Sequence, residues 1–139
     1  MKNTICAAVG TLGSIVASLY GGWSASLTTL LIFMLIDYAT GLVVAGVFHK
    51  SPKTANGGLE SKAGLKGLAR KCSVLLLVLV GYRLDLAIGT TYIRDGVCIA
   101  FMVNELISIV ENAGLMGLPI PSVITNAIEV LKHKGETKK

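Results

Sequence analysis

Read for polarity, the chain alternates long apolar runs with short polar stretches. Thr4 to Gly22 carries no charge, and Ser26 to Phe48 carries a single one, Asp37. Cys72 to Ile88 is a third apolar run, with Arg83 and Asp85 near its end. Gly96 to Gly114 is a fourth, interrupted by Asn104, Glu105, Ser108, Glu111 and Asn112. At ~1.5 Å rise per residue, a run of about 20 residues crosses the ~30 Å hydrocarbon core of a bilayer. The pattern predicts an all-α integral membrane protein with about four transmembrane helices in a single membrane domain, residues 1–139. Helix 1 falls at about 4–22, helix 2 at about 25–48, helix 3 at about 72–88 and helix 4 at about 94–113. A basic linker occupies 49–71, and an amphipathic tail 119–139.

Turn chemistry separates these runs. Gly21-Gly22-Trp23-Ser24 and Gly89-Thr90-Thr91-Tyr92 are short turns, the first with an interfacial Trp. Within the linker, Asn56-Gly57-Gly58 is a turn. Beyond it, Leu59, Ala63, Leu65, Leu68 and Ala69 oppose Lys62, Lys66 and Arg70, the spacing of a short amphipathic helix on a membrane surface. In the tail, Ser122 is a candidate N-cap for a helix with Val123, Ile124, Ala127, Ile128 and Leu131 on one side. A cleaved signal peptide ending at Ser24-Ala25-Ser26 is the competing reading of the first run and would leave three spans.

Composition agrees with the pattern. The chain is 53% hydrophobic and only 15% charged, against ~25% charged in average soluble domains. No soluble catalytic domain fits. The net charge of +5 would be compatible with nucleic acid, but its distribution points elsewhere. Lys2, the linker (Lys50, Lys53, Lys62, Lys66, Arg70, Lys71) and the tail (Lys132, Lys134, Lys138, Lys139) all fall on one side of a four-span chain. The two short turns on the other side hold no basic residue. The positive-inside rule then places both termini in the cytoplasm. No aromatics interleave the lysines, so nucleic acid is not an expected partner.

Four sets of residues are candidates for function. Asp37 lies in the middle of an apolar helix, where a carboxylate costs ~2.5–3.5 kcal/mol on insertion scales. It must be protonated, paired or turned toward a polar cavity. Asn104, Glu105, Ser108 and Glu111 form a polar stripe on helix 4 that either bonds between helices or lines a hydrated path. Gly10, Gly13, Ser14 and Ala17 on helix 1, and Gly41 and Ala45 on helix 2, give small faces for close helix packing. Lys62, Lys66, Arg70 and Lys71 are expected to hold the linker on the anionic inner leaflet. Cys6, Cys72 and Cys98 sit in or beside apolar runs without ligand spacing, and read as packing residues. No catalytic motif is present, so no enzyme, no cofactor and no metal are expected.

Three blocks resemble a known family. They are Asp37-Tyr38-Ala39-Thr40-Gly41, the basic segment Ser61-Lys62-x-Gly64-Leu65-Lys66-Gly67-Leu68-x-Arg70-Lys71, and Asn104-Glu105-x-x-Ser108-Ile109-x-Glu111-Asn112-Ala113-Gly114 with Gly117-x-Pro119-Ile120-Pro121 after it. Together, over about residues 25–131, the chain resembles the phage-lysis and toxin-secretion holins, which include the clostridial toxin-export type. The resemblance implies a protein of the bacterial cytoplasmic membrane that forms homo-oligomers at a set time. The lesions would let an endolysin reach the cell wall or let a large toxin leave. It implies no active site, and it gives no individual role to Asp37, the basic segment or the Asn104–Glu105 pair. On the residues alone, a small ion channel or transporter subunit and a non-conducting antiholin remain open.

Overall fold

A computed structural model of the chain describes residues 1–137. Lys138 and Lys139, counted above in the basic tail, lie outside the described residues. The described residues form five α-helices and no strand: α1 Lys2–Leu19, α2 Ala25–Gly46, α3 Ser61–Ile88, α4 Ile93–Leu115 and α5 Ser122–Thr137. Two of them, α1 and α2, are long and apolar enough by composition to cross a membrane, with mean hydropathies of 1.2 and 2.0 over their best windows. The core helix of a soluble protein passes the same test when it is buried. Here only 6% of the α1 window and 28% of the α2 window are buried. Many of their apolar side chains therefore face outward.

The linker is organised differently from the sequence expectation. A separate surface helix followed by a span starting at residue 72 is replaced by one continuous helix of 28 residues, α3. The physical reason is that nothing between Ser61 and Cys72 breaks a helix. No proline occurs there, Gly64 and Gly67 each cost only ~1 kcal/mol relative to Ala, and Leu65, Leu68 and Ala69 favour helix. At about 42 Å, α3 is longer than the hydrocarbon core is thick. It ends at Gly89, in the left-handed conformation (φ +82°) that glycine tolerates. Both the Gly89 and Thr90 amides donate to the Asp85 carbonyl.

The core lies between α2, α3 and α4. Leu27, Leu30 and Met34 from α2 meet Val74 and Val78 from α3, and Cys98 and Met102 from α4. Each set repeats at three- and four-residue spacing, so each helix presents one stripe. α4 packs along both α2 and α3, whereas α2 and α3 touch each other much less. Gly81 allows the α3–α4 approach: a Cβ there would come within 3.3 Å of both the Arg94 Cα and Val97. α5 folds back along α4, burying Ile128 and bringing Gly135 beside Ile99. The amphipathic helix of the tail therefore packs on the bundle.

α1 stands clear of that bundle. Ala17 is its only buried residue. Its last turn, however, is firmly attached. The Tyr20 hydroxyl donates to the Leu75 carbonyl at 2.8 Å, and Arg94 Nη1 donates to the Tyr20 carbonyl at 2.7 Å. Gly21 and Gly22 turn the chain with φ of +81° and +93°, and Ser24 caps α2 by accepting the Leu27 amide at 3.1 Å. A Cβ at Gly21 would run into the Tyr82 ring. Gly21→Ala should therefore destabilise the protein by more than the ~1–2 kcal/mol of left-handed backbone strain alone, read as a lower thermal midpoint in detergent. Gly10→Ala, whose Cβ meets nothing within 4 Å, should not lower it.

Candidate functional site

The buried stripe of each helix continues into polar residues. On α2 the series Leu27, Leu30, Met34 is followed by Asp37. On α4, Cys98 and Met102 are followed by Glu105 and Asn112. On α3, read backwards, Val78 and Val74 are followed by Lys71. The three charged side chains converge. The Lys71 ammonium donates to Asp37 Oδ2 and to Glu105 Oε2, both at 2.7 Å, with all three side chains largely buried. One cation thus ties three helices together. An ammonium has three donors in free rotation, which suits a bridge between two carboxylates on different elements.

Asn112 completes the brace. Its Nδ2 donates to Asp37 Oδ1 at 3.1 Å, to the Asp37 carbonyl at 3.2 Å and to Thr40 Oγ1 at 2.9 Å. Thr40 in turn donates back to the Ile36 and Asp37 carbonyls of its own helix, at 2.8 and 3.1 Å. Gly41 leaves room for this amide, since a Cβ there would sit 3.9 Å from Asn112 Nδ2. The Asp-x-x-Thr-Gly block is therefore a single docking surface for the Asn112 side chain. Tyr38, inside the same block, donates from its hydroxyl to the Gly64 carbonyl at 3.3 Å and lies over Gly67. The glycines of the basic segment thus match the tyrosine of α2. No buried polar side-chain atom among the described residues is left without a partner.

Beside the brace is a cavity of about 440 Å³ between α2, the 47–60 loop, the first half of α3, and α4. Asn104 and Ser108 line it, with Asp37, Lys71 and Glu105 at one side.

The structure brings together only part of what the sequence singled out. Asp37, Glu105 and Asn112 form the brace, while Asn104 and Ser108 face the cavity. Glu111 is exposed and takes no part. Lys71, grouped with the membrane-surface lysines, is turned inward onto Asp37 and Glu105, whereas Lys62, Lys66 and Arg70 are exposed. Ala45 and Ala17 are buried, but Gly10, Gly13 and Ser14 face no other element. Two further residues organise the opposite end. Asp85 accepts from Thr90 Oγ1 at 2.6 Å and from the Ile93 and Arg94 amides, both at 2.9 Å, and Arg94 reaches the end of α1. The signal for Lys71 was present in the stripe, one turn before Val74. The signal for Asp85 was its place beside a glycine turn, four residues before Gly89.

The polar groups of this site are engaged with one another. Its carboxylates are satisfied by a lysine and an amide, and no group of His, Cys, Asp or Glu among the described residues could hold a metal ion. Exposed apolar side chains on α1 and α2 surround an interior whose charges are paired and hydrogen-bonded.

The chain belongs to the bacteriophage holin family, whose model matches residues 14–133. That is not an enzyme family, and the assignment supports a holin-type role at a membrane. Among its relatives is an uncharacterised protein of Halalkalibacterium halodurans, 40% identical over 87% of this chain and 88% of that protein. A Listeria monocytogenes protein, also uncharacterised, is 37% identical over 88% of this chain and 83% of its own length. An uncharacterised 14.9 kDa protein of Clostridium perfringens is 34% identical over 95% and 96% of the two chains. No solved structure matches.

Proposed function

We propose that this protein is a holin that self-associates in the bacterial cytoplasmic membrane and opens lesions through which an endolysin or a large toxin passes. The family match over residues 14–133 carries this reading. The architecture supports it by dividing the subunit into a braced part and a free part. The brace of Asp37, Lys71, Glu105 and Asn112 holds α2, α3 and α4 as a unit. α1 offers Gly10, Gly13 and Ser14 to no partner within its own chain, which suits a helix that packs against a second copy.

In this scheme α1 to α4 each cross the bilayer, with the N-terminus and the 47–60 loop in the cytoplasm. Lys62, Lys66 and Arg70 then lie at the inner interface, where each contributes ~1 kcal/mol to attraction by anionic lipid. α5 needs one adjustment. Folded along α4 as far as Ile99, it sets Lys132 and Lys134 beside the outer half of that helix, where a lysine costs up to ~2.5–3.5 kcal/mol. In the bilayer α5 swings from α4 to the inner surface, which keeps the C-terminus cytoplasmic. Asn104 and Ser108 line the hydrated path of the assembled state. Collapse of the membrane potential is the trigger, since one charge moved across it is worth ~2.3 kcal/mol per 100 mV. Neither a cofactor nor nucleic acid takes part.

The cavity beside Asn104 and Ser108 supports a second reading, a small regulated ion channel. Inducible expression in a bacterium, alone and with a cytoplasmic endolysin, separates the two. Abrupt loss of membrane potential, with lysis only when endolysin is present, is the expected result. Steady growth through high expression in both strains would remove the lesion mechanism.

A further inference from the structure

The cavity beside the brace contains charged groups that the brace does not use. It lies between α2 and α3, beside the contacts of Tyr38 with Gly64 and Gly67, and α4 also lines it. Of the charged residues lining it, Asp37, Lys71 and Glu105 are satisfied by one another. The others are Lys53, Arg70 and Glu60, none of which makes an ion pair among the described residues. Lys50, Lys62 and Lys66 lie close by in the chain and are likewise exposed without ion pairs. The free charge at this mouth is therefore positive.

Lys53 is carried on an ordered loop. The Ser51 amide donates to the Gly57 carbonyl at 3.0 Å, Thr54 Oγ1 donates to the Gly58 carbonyl at 2.9 Å, and the Lys53 amide donates to Ser51 Oγ at 3.2 Å. Gly57, at φ +75°, lies so close to the His49 carbonyl that no side chain fits there. Leu59 folds back to Gly46, where a Cβ would meet its Cδ1 at 3.0 Å. These contacts tie the loop together beside the end of α2. Arg70 faces the cavity from the continuous helix α3. Leu42, which is exposed, and the more buried Val74 and Phe101 make part of the wall apolar. A cationic mouth above an apolar wall, at the end of the bundle where the basic residues gather, complements an anionic amphiphile.

We propose that this cavity binds the headgroup of an anionic phospholipid from the inner leaflet, with its phosphate engaged by Lys53 and Arg70 and its glycerol end against Leu42 and Phe101. The proposal rests on the topology given above, which puts the loop at the inner leaflet, and not on lesion formation. A soluble phosphate would gain the cations but nothing from the apolar wall. A zwitterionic lipid would gain the wall but present its own cation to Lys53 and Arg70.

The test uses the purified full chain in a neutral detergent, with thermal midpoint and retained lipid in native mass spectrometry as readouts. Phosphatidylglycerol should stabilise and co-purify, and phosphatidylcholine should not. Lys53→Gln with Arg70→Gln should weaken phosphatidylglycerol binding about tenfold or more, the scale of two lost charge-assisted contacts. Lys62→Gln with Lys66→Gln removes the same charge outside the cavity and should leave binding nearly unchanged. Equal losses in the two double variants would show diffuse surface attraction and overturn the site. Equal stabilisation by glycerol phosphate in water would assign it to a soluble anion instead. Equal response of the wild-type protein to both lipids would overturn it without any variant. None of these readouts involves lysis, so a failed lysis experiment and a failed lipid experiment are told apart.

Discussion

Lys71→Met is expected to be the most damaging single substitution in the bundle. It leaves Asp37 and Glu105, both largely buried, facing each other with no cation between them. Removing one partner of a buried ion pair costs ~3–5 kcal/mol, and here two pairs share the partner. Total stabilities of domains lie at ~5–15 kcal/mol, so the variant should accumulate poorly in membranes and melt far below the wild type in detergent. Lys66→Met, earlier in the same helix at an exposed position, should behave as wild type. The decisive companion is a triple variant, Asp37→Asn, Lys71→Met, Glu105→Gln. It removes all three charges together and should recover most of the lost midpoint, because a missing set of charges costs much less than an unpaired one. A Lys71→Met protein as stable as wild type would mean that the brace does not hold the bundle.

Part of this site is legible in the sequence. Asp37 announces itself, because one carboxylate in an apolar run long enough to span a bilayer must find a partner. The polar residues of helix 4 pointed to the right helix for part of that network, and two of them, Glu105 and Asn112, do reach Asp37 through Lys71 or directly. Lys71 was hidden by its neighbours. In a segment with Lys62, Lys66 and Arg70 it joins a basic set, and only extending the Val78–Val74 stripe back by three residues shows that it points the other way. That extension requires knowing that α3 runs unbroken from Ser61. The helix continues because the segment lacks a breaker, a weaker signal than the strong polarity change at Cys72 that suggested a boundary.

Glu111 illustrates the converse. Its spacing from Asn104 and Ser108 puts it on their stripe, but a helix stripe is wide, and the packing of α2 against α4 selects Asn112 instead. Which side of a stripe is buried depends on where the neighbouring helix crosses, and no local pattern encodes that. The small residues of α1 carry a similar ambiguity. Gly10 and Gly13 permit a close approach, but in the single chain nothing approaches, so whatever packs there has to come from outside the subunit.

The second large effect is expected at the other end of the bundle, from Asp85→Ala. Tyr92, the residue before α4, supplies no side-chain cap. Asp85 replaces that cap from the last turn of α3, accepting the Ile93 and Arg94 amides and the Thr90 hydroxyl around the Gly89 turn. Loss of a hydrogen-bonded charged acceptor typically costs ~1.5–3 kcal/mol, and the orphaned amides at the start of α4 would be partly shielded from water. The consequence extends beyond α4. Arg94, in that first turn, donates to the Tyr20 carbonyl at 2.7 Å and lies with its guanidinium 6.0 Å from the Tyr82 ring centre. Fraying the turn should therefore release the end of α1, the helix whose freedom matters most if it associates with a second copy. Hydrogen exchange is the measurement. In Asp85→Ala the amides of Ile93, Arg94 and the Gly21–Gly22 turn should all exchange faster, with the α2–α3 contact at the brace unchanged. Arg94→Ala should accelerate the Gly21–Gly22 turn but leave the Ile93 amide protected, since the Asp85 carboxylate still accepts it. If the two variants give the same exchange pattern, Asp85 is not the cap of α4. If Asp85→Ala leaves the Gly21–Gly22 turn untouched, α1 is held by something other than Arg94, and the corner does not couple the free helix to the braced ones.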